Sequence, residues 1–232
     1  MASMSFRSRL WKARTTITRS PRLAPLGKAS LQLLSWMLRL NPIQRHSRRL
    51  REARYLNVGC GRKARPGFVN LDYIWQPGVD LLWDLNWRLP FPENALRGIY
   101  TEHCIEHLPL KAVTGHVLSE FYRVLEPGGR LRLIVPDGGL YLKLYSESHV
   151  NPATIFPSMD SRGLVTPMMH VNQCFRDHGH LYAYDFNTLR HFLLLAGFPE
   201  VQRRSFMQGD DPVLVLDSPE RAAESLYIEA VK

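Results

Sequence analysis

Four short apolar runs follow one another between residues 55 and 103, and each ends in a glycine turn or a carboxylate. Tyr55-Leu56-Asn57-Val58 runs straight into Gly59-Cys60-Gly61, and Phe68-Val69-Asn70-Leu71 ends at Asp72. Val79-Asp80-Leu81-Leu82-Trp83 ends at Asp84, and Ile99-Tyr100-Thr101 ends at Glu102-His103. Runs this short and this apolar read as strands buried in a parallel sheet. Polar groups gathered at the same end of each strand mark the edge where such sheets bind ligands.

The pattern continues with alternating periods. Val113, Val117, Phe121, Val124 and Leu125 share one helical face within 111–125, and Glu126-Pro127-Gly128-Gly129 is read as the stop. Leu131-Arg132-Leu133-Ile134-Val135 is a fifth strand closed by Pro136-Asp137. A further helix is predicted from Asn187, taken as its N-cap, to Ala196, with Gly197 as its C-cap. Leu226-Tyr227-Ile228-Glu229-Ala230-Val231 alternates and is the last strand. Strands alternating with helices predict an α/β, doubly wound parallel sheet.

Composition enters as a set of exclusions. The 232 residues, 45% hydrophobic and 22% charged, exclude wholesale disorder and a coiled-coil rod. No run of about 18 apolar residues occurs, so no membrane-spanning helix is read. Cys60, Cys104 and Cys174 are odd in number and far apart, which suits a reducing compartment rather than a disulfide framework. Charge divides sharply at Arg54. Thirteen Lys and Arg against the single acid Glu52 give +12 up to that point; the 17 basic and 20 acidic residues that follow give −3, which together make the chain's +9. The high pI therefore belongs to a basic N-terminal arm, 1–54, and nucleic acid is not expected as a partner of the body. Within the arm, 29–40 is apolar, helix-compatible and carries Trp36. Such a helix either packs on the domain or lies in a membrane interface. A transit peptide, from its acid-poor and Arg/Ser-rich start, and an RNA-gripping arm are the other readings of the arm.

A glycine turn followed by an acid after the next strand is what an adenosine ligand needs. The bare turn lets backbone approach, and the carboxylate accepts both ribose hydroxyls. Gly59-Cys60-Gly61-Arg62-Lys63-Ala64 also satisfies the dinucleotide pattern formally, so an NAD-dependent oxidoreductase is an alternative, as is a non-catalytic protein that keeps the fold.

Leu56-Asn57-Val58-Gly59-Cys60-Gly61, Asn70-Leu71-Asp72, Leu89-Pro90-Phe91, Glu106-His107-Leu108, Leu125-Glu126-Pro127-Gly128-Gly129 and Ala196-Gly197-Phe198 occur in that order. Together they resemble the signposts of class I S-adenosylmethionine-dependent methyltransferases, in the bacterial small-molecule, type 11-like branch. The resemblance runs from about Leu56 to the C-terminus. It implies a Rossmann-like seven-stranded sheet, mostly parallel with an antiparallel last strand, in which 201–205 and 226–231 are the closing pair. It also implies S-adenosyl-L-methionine as cofactor. Gly59, Cys60 and Gly61 would form the turn beside its methionine portion, with Asn57 beneath. Asp72 would hold the ribose, Asp84 and Leu85 would meet the adenine, and Glu102 would face the methionine end. The sequence departs from the pattern at Asn57, where many members have an acid, and at Lys63, which replaces a third glycine. Only eleven positions separate Gly61 from Asp72, so the first helix is expected to be very short or absent.

Several histidines remain. His103-Cys104-Ile105-Glu106-His107 matches a zinc-protease pattern that requires a helix, but it falls at a strand end. His170, Cys174, His178 and His180 match no closed zinc spacing, and no metal is expected. His103, His178 and His180 are the candidate general bases for a hydroxyl acceptor. The interval 138–184, rich in aromatics, is read as the substrate-choosing insertion of a methyltransferase domain spanning 55–232. The expected acceptor is a small molecule, a sugar or lipid-linked glycan. A cytoplasmic location is expected, with the arm offering peripheral contact at the inner membrane face.

Overall fold

The structure is a computed structural model and describes residue 50, residues 52–150 and residues 164–232. The arm's apolar stretch and the middle of the 138–184 interval lie outside the described residues. The strands are β1 (Tyr55–Val58), β2 (Val69–Asp72), β3 (Leu81–Leu82), β4 (Leu96–Glu102), β5 (Leu125–Pro136), β6 (Glu200–Arg204) and β7 (Ser225–Val231). They form one sheet in the order β3-β2-β1-β4-β5-β7-β6. The first five strands pair in parallel, and β7 runs antiparallel to both β5 and β6. The expected Rossmann-like sheet, mostly parallel with an antiparallel last strand, is present. Its order reverses between β1 and β4, which opens a crevice at their carboxyl ends.

The crossovers at that edge are unusually lean. Ten residues join β1 to β2, and no described helix stands in the connections from β1 through to β4. A parallel crossover normally needs a dozen or more residues. Side chains take over the missing helix's supporting role. Buried Asn57 donates to the Lys63 carbonyl at 3.0 Å and to Asn70 Oδ1 at 3.0 Å, while Asn70 accepts from the Arg65 N–H at 2.7 Å. Asn70 also donates to Asp80 Oδ2, which ties the next connection to the same pair.

The helix read at 111–125 forms as α1 (Leu110–Ala112), a π turn at Val113–Val117 and α2 (Leu118–Val124) in succession. Its predicted apolar face is buried on the sheet together with α5 (Phe186–Leu195). Glu126-Pro127-Gly128-Gly129 is not a separator between elements. It interrupts β5, whose pairing with β4 jumps from Leu96↔Leu125 to Gly98↔Arg130. The cap of α5 is Asp185, which accepts from the Thr188 N–H at 2.8 Å, and not Asn187. Gly197 ends α5 at φ +109°, with the Phe198 N–H returning to the Leu193 carbonyl. Two further helices, α3 (Gly138–Val150) and α4 (Pro167–Arg176), pack on each other around Tyr141, Val171 and Cys174.

The two faces of the sheet are covered differently. Leu56, Val58, Leu131, Leu133 and Ile228 meet the helices. The opposite face carries Asn57, Asn70, Arg132 and Glu229 among its buried residues, and the β6–β7 connection covers it with Phe206, Leu214 and Leu216. Fully buried Arg132 fastens that connection: its guanidinium reaches both Asp217 oxygens and the Gln208 and Ser205 carbonyls.

Candidate functional site

A cavity of about 270 Å³ opens at the reversal point of the sheet. Asn57 and Gly59–Gly61 form one wall, Tyr100, Glu102 and His103 another, and Arg62, Lys63 and Arg221 complete it. The turn has glycines where backbone geometry demands them. Gly59 sits at φ +67°, and a Cβ there would lie 2.5 Å from Cys104 Sγ. Gly61 sits at φ +51°, and a Cβ there would meet nothing within 4 Å. The first glycine makes room for the protein, whereas the second faces open space.

Asp72 ends β2 and turns toward this bend. Its Oδ2 accepts the Gly61 N–H at 2.8 Å, and its Oδ1 accepts the Ile74 N–H at 2.8 Å. Two backbone donors fix the carboxylate and leave each oxygen a further lone pair. Exposed Tyr73, Ile74 and Trp75 follow it directly. β3 is confined to Leu81–Leu82, so Asp84 lies two residues past it, where it closes a local turn by accepting from the Asn86 N–H at 2.9 Å; Leu85 beside it is buried. Neither Asp72, Asp84 nor Leu85 is part of the cavity wall itself.

Glu102 ends β4 on that wall. It accepts from the Ser218 N–H at 2.9 Å and the Ser218 hydroxyl at 2.5 Å, and Lys63 Nζ lies 3.6 Å away. Lys63 also contacts Ser218 and Glu220, so it bridges the glycine turn to the segment before β7. Burial pushes the Cys60 thiol up to about 12, which leaves it a neutral, unreactive wall residue.

The three candidate bases divide. His103 lines the cavity, but Arg221 lies against its Nδ1 and Ser225 Oγ is 2.8 Å from its Nε2. A guanidinium only donates, so Nδ1 is the acceptor and Nε2–H faces the serine. Burial first, and then Arg221, depress the imidazole's pKa to about 2. His103 is therefore a neutral, fully engaged ring. His178 is exposed on the 3₁₀ turn Asp177–Gly179; His180 is buried with Nδ1 2.7 Å from the Cys174 carbonyl. Neither lines the cavity. Nor do the histidines and cysteine of 170–180 assemble as a ligand set; among the described residues the group that does is Glu106, His107 and His180.

Sequence reasoning missed Ser218 and Arg221, because only the long-range pairing of β7 with β5 brings them across the sheet. Lys63 carried a faint signal as the departure from a third glycine.

No family model matches the chain, and no curated protein matches it. Solved structures do resemble it in fold. A SAM-dependent methyltransferase from Archaeoglobus fulgidus is 15% identical with a TM-score of 0.47, over 87% of this chain and 94% of that one. A second, from Mesorhizobium loti, is 15% identical with a TM-score of 0.47, over 82% and 96%. A third, from Methanosarcina mazei, is 14% identical with a TM-score of 0.45, over 76% and 89%. Likeness at this level concerns the fold alone, so the chemistry has to be read from the site's own atoms.

Proposed function

We propose that the protein is an S-adenosyl-L-methionine-dependent methyltransferase acting on a small-molecule acceptor, of the sugar or lipid-linked glycan class. The observation that carries this reading is the Gly61 N–H···Asp72 hydrogen bond beside the open glycine turn. It holds a carboxylate with spare lone pairs where the two hydroxyls of a ribose would approach. Gly59, Cys60 and Gly61 would pass the methionine portion close to backbone above Asn57. Asp84 and Leu85 would meet the adenine. Glu102 would receive the ammonium group in exchange for its present Ser218 and Lys63 partners. When bound, the cofactor supplies a sulfonium methyl that is already activated, so the protein's task is chiefly alignment and exclusion of water.

The nicotinamide alternative loses support from the same loop. A dinucleotide pyrophosphate rests on a helix N-terminus that follows the glycine turn, and none follows Gly61 here. The helices of the 138–184 insertion would select the acceptor, and the basic arm would make the peripheral membrane contact.

Calorimetry on the purified chain is the direct test. S-adenosylhomocysteine should bind one to one, Asp72→Ala should weaken it at least tenfold, and Gly61→Val should abolish it by filling the open space. NADH should give no heat. A folded protein that ignores S-adenosylhomocysteine would refute the proposal.

A further inference from the structure

Outside the cavity wall, Glu106, His107 and His180 bring one ligand atom each to within 4.8 Å of one another. We propose that these three residues form a binding site for a divalent transition-metal ion of the zinc class. The starting point is Glu106. It is 1% exposed, and neither carboxylate oxygen has a hydrogen-bond partner among the described residues. A buried acid with nothing to accept from is costly to fold unless a proton or a cation meets it. What faces it is imidazole: His103 Nδ1 lies 3.6 Å and His107 Nε2 3.9 Å from Glu106 Oε1.

The fold builds this juxtaposition deliberately through the backbone. The N–H groups of Leu181 and Tyr182 both donate to the Glu106 carbonyl, at 2.7 Å and 3.3 Å, and so draw His180 onto the 3₁₀ turn Ile105–His107. The His107 and His180 rings stand 4.9 Å apart, edge to face. His180 is oriented as metal-binding imidazoles usually are. Its Nδ1 faces the Cys174 carbonyl, which can only accept, so Nδ1 carries the proton and Nε2 keeps a free lone pair.

Two imidazoles and one carboxylate are a donor set of open zinc sites, which keep a further position for water or substrate. Ligand atoms around such an ion, each about 2.1 Å from it, stand about 3.4 Å apart. The His107 side chain is part exposed and hydrogen-bonded to the Gly179 backbone, and it would have to turn to close the difference. His103 is not counted, since Arg221 and Ser225 occupy its nitrogens. Arg221 is the positive charge that acts on Glu106, while Glu102 and Glu224 add negative charge around it that a bound cation would offset. The zinc-protease spacing seen in the sequence is thus misleading in its first histidine, while its last two residues find their partner in the second histidine cluster.

His103 belongs both to the cavity wall and to the surroundings of Glu106, so the ion would lie one side chain from the cavity. There it could hold an acceptor oxygen, a task His103 cannot perform with both its nitrogens occupied. That role rests on the methyl-transfer reading; the binding of the ion does not.

The test uses the full chain, stripped with chelator. Zn²⁺ titrated by calorimetry should bind one per chain, and Co²⁺ should give the visible absorption of a low-coordinate site. His107→Ala and His180→Ala should each weaken Zn²⁺ at least tenfold, whereas His178→Ala, an exposed neighbour, should leave it unchanged. His107→Cys should keep the ion and add a thiolate-to-cobalt charge-transfer band, which no merely structural position would give. Absence of saturable one-to-one binding, or binding indifferent to both alanine variants and without that band, overturns the proposal. S-adenosylhomocysteine titrated into the same preparations separates the two readings, since either ligand can bind where the other fails.

Discussion

At the scale of single residues, the glycine turn stands on groups that a close substitute would not replace. Asn57 donates from one amide to the Lys63 carbonyl and to Asn70 Oδ1, both acceptors. Asn57→Asp would set a buried carboxylate against two oxygens, taking this donor from the Lys63 carbonyl and leaving Asn70 Oδ1 with the Arg65 N–H alone, at a cost of about 2–4 kcal/mol. Urea unfolding should show that loss directly, and a variant as stable as the parent would remove the Asn pair from its supporting role. The two glycines of the turn should behave oppositely. Gly59→Ala drives a Cβ to 2.5 Å from Cys104 Sγ and 2.7 Å from Cys104 Cβ, so backbone has to shift. Gly61→Ala meets no neighbour and bears only the strain of its positive φ, about 1 kcal/mol. Melting temperatures should therefore fall much further for the first substitution than for the second.

At the scale of elements, the β6–β7 connection does the work that crossover helices do elsewhere, and Arg132 is its fastening. The guanidinium is fully buried, joins Asp217 through both oxygens and lies 3.8 Å from Glu229. Arg132→Met would keep the volume but strand Asp217, at about 3–5 kcal/mol. It should also release Ser218, the neighbour of Asp217, from Glu102, so S-adenosylhomocysteine affinity should change along with stability. An unfolding curve matching the parent's would show the pair to be dispensable. This element also marks where the sequence stopped being readable. Strand ends are legible because each apolar run and its terminal acid are local, which is why Asp72 and Glu102 read as strand ends from the sequence alone. Asp185 was missed as the cap of α5 because Asn187, two positions on, is equally suited by composition. The contact of His180 with Glu106 depends on backbone bonds from Leu181 and Tyr182, and the cover of the polar face depends on Arg132 reaching Asp217. Neither pairing leaves a periodic trace.

At the scale of the whole molecule, charge is divided unevenly along the chain. The residues after Arg54 carry −3 and include every residue of the cavity wall, while the first 54 carry +12. Among the described residues no helix is long and apolar enough to cross a membrane. In the proposed reading, the arm's membrane contact is peripheral and largely electrostatic. Each Lys or Arg near an anionic surface contributes about 1 kcal/mol, and the attraction fades beyond a Debye length of about 8 Å at physiological salt. A net negative body would be repelled by the same surface, which makes the arm's contribution separable. The full chain should cosediment with phosphatidylserine-containing vesicles at low salt, leave them at about 0.5 M salt, and ignore zwitterionic vesicles. Replacing Arg7, Arg9, Arg14, Arg19 and Arg22 by Gln should release it from the vesicles while S-adenosylhomocysteine binding stays unchanged. Sedimentation that survives those five replacements would move the attraction away from the arm's charge. No sedimentation at all would leave the arginines simply solvated.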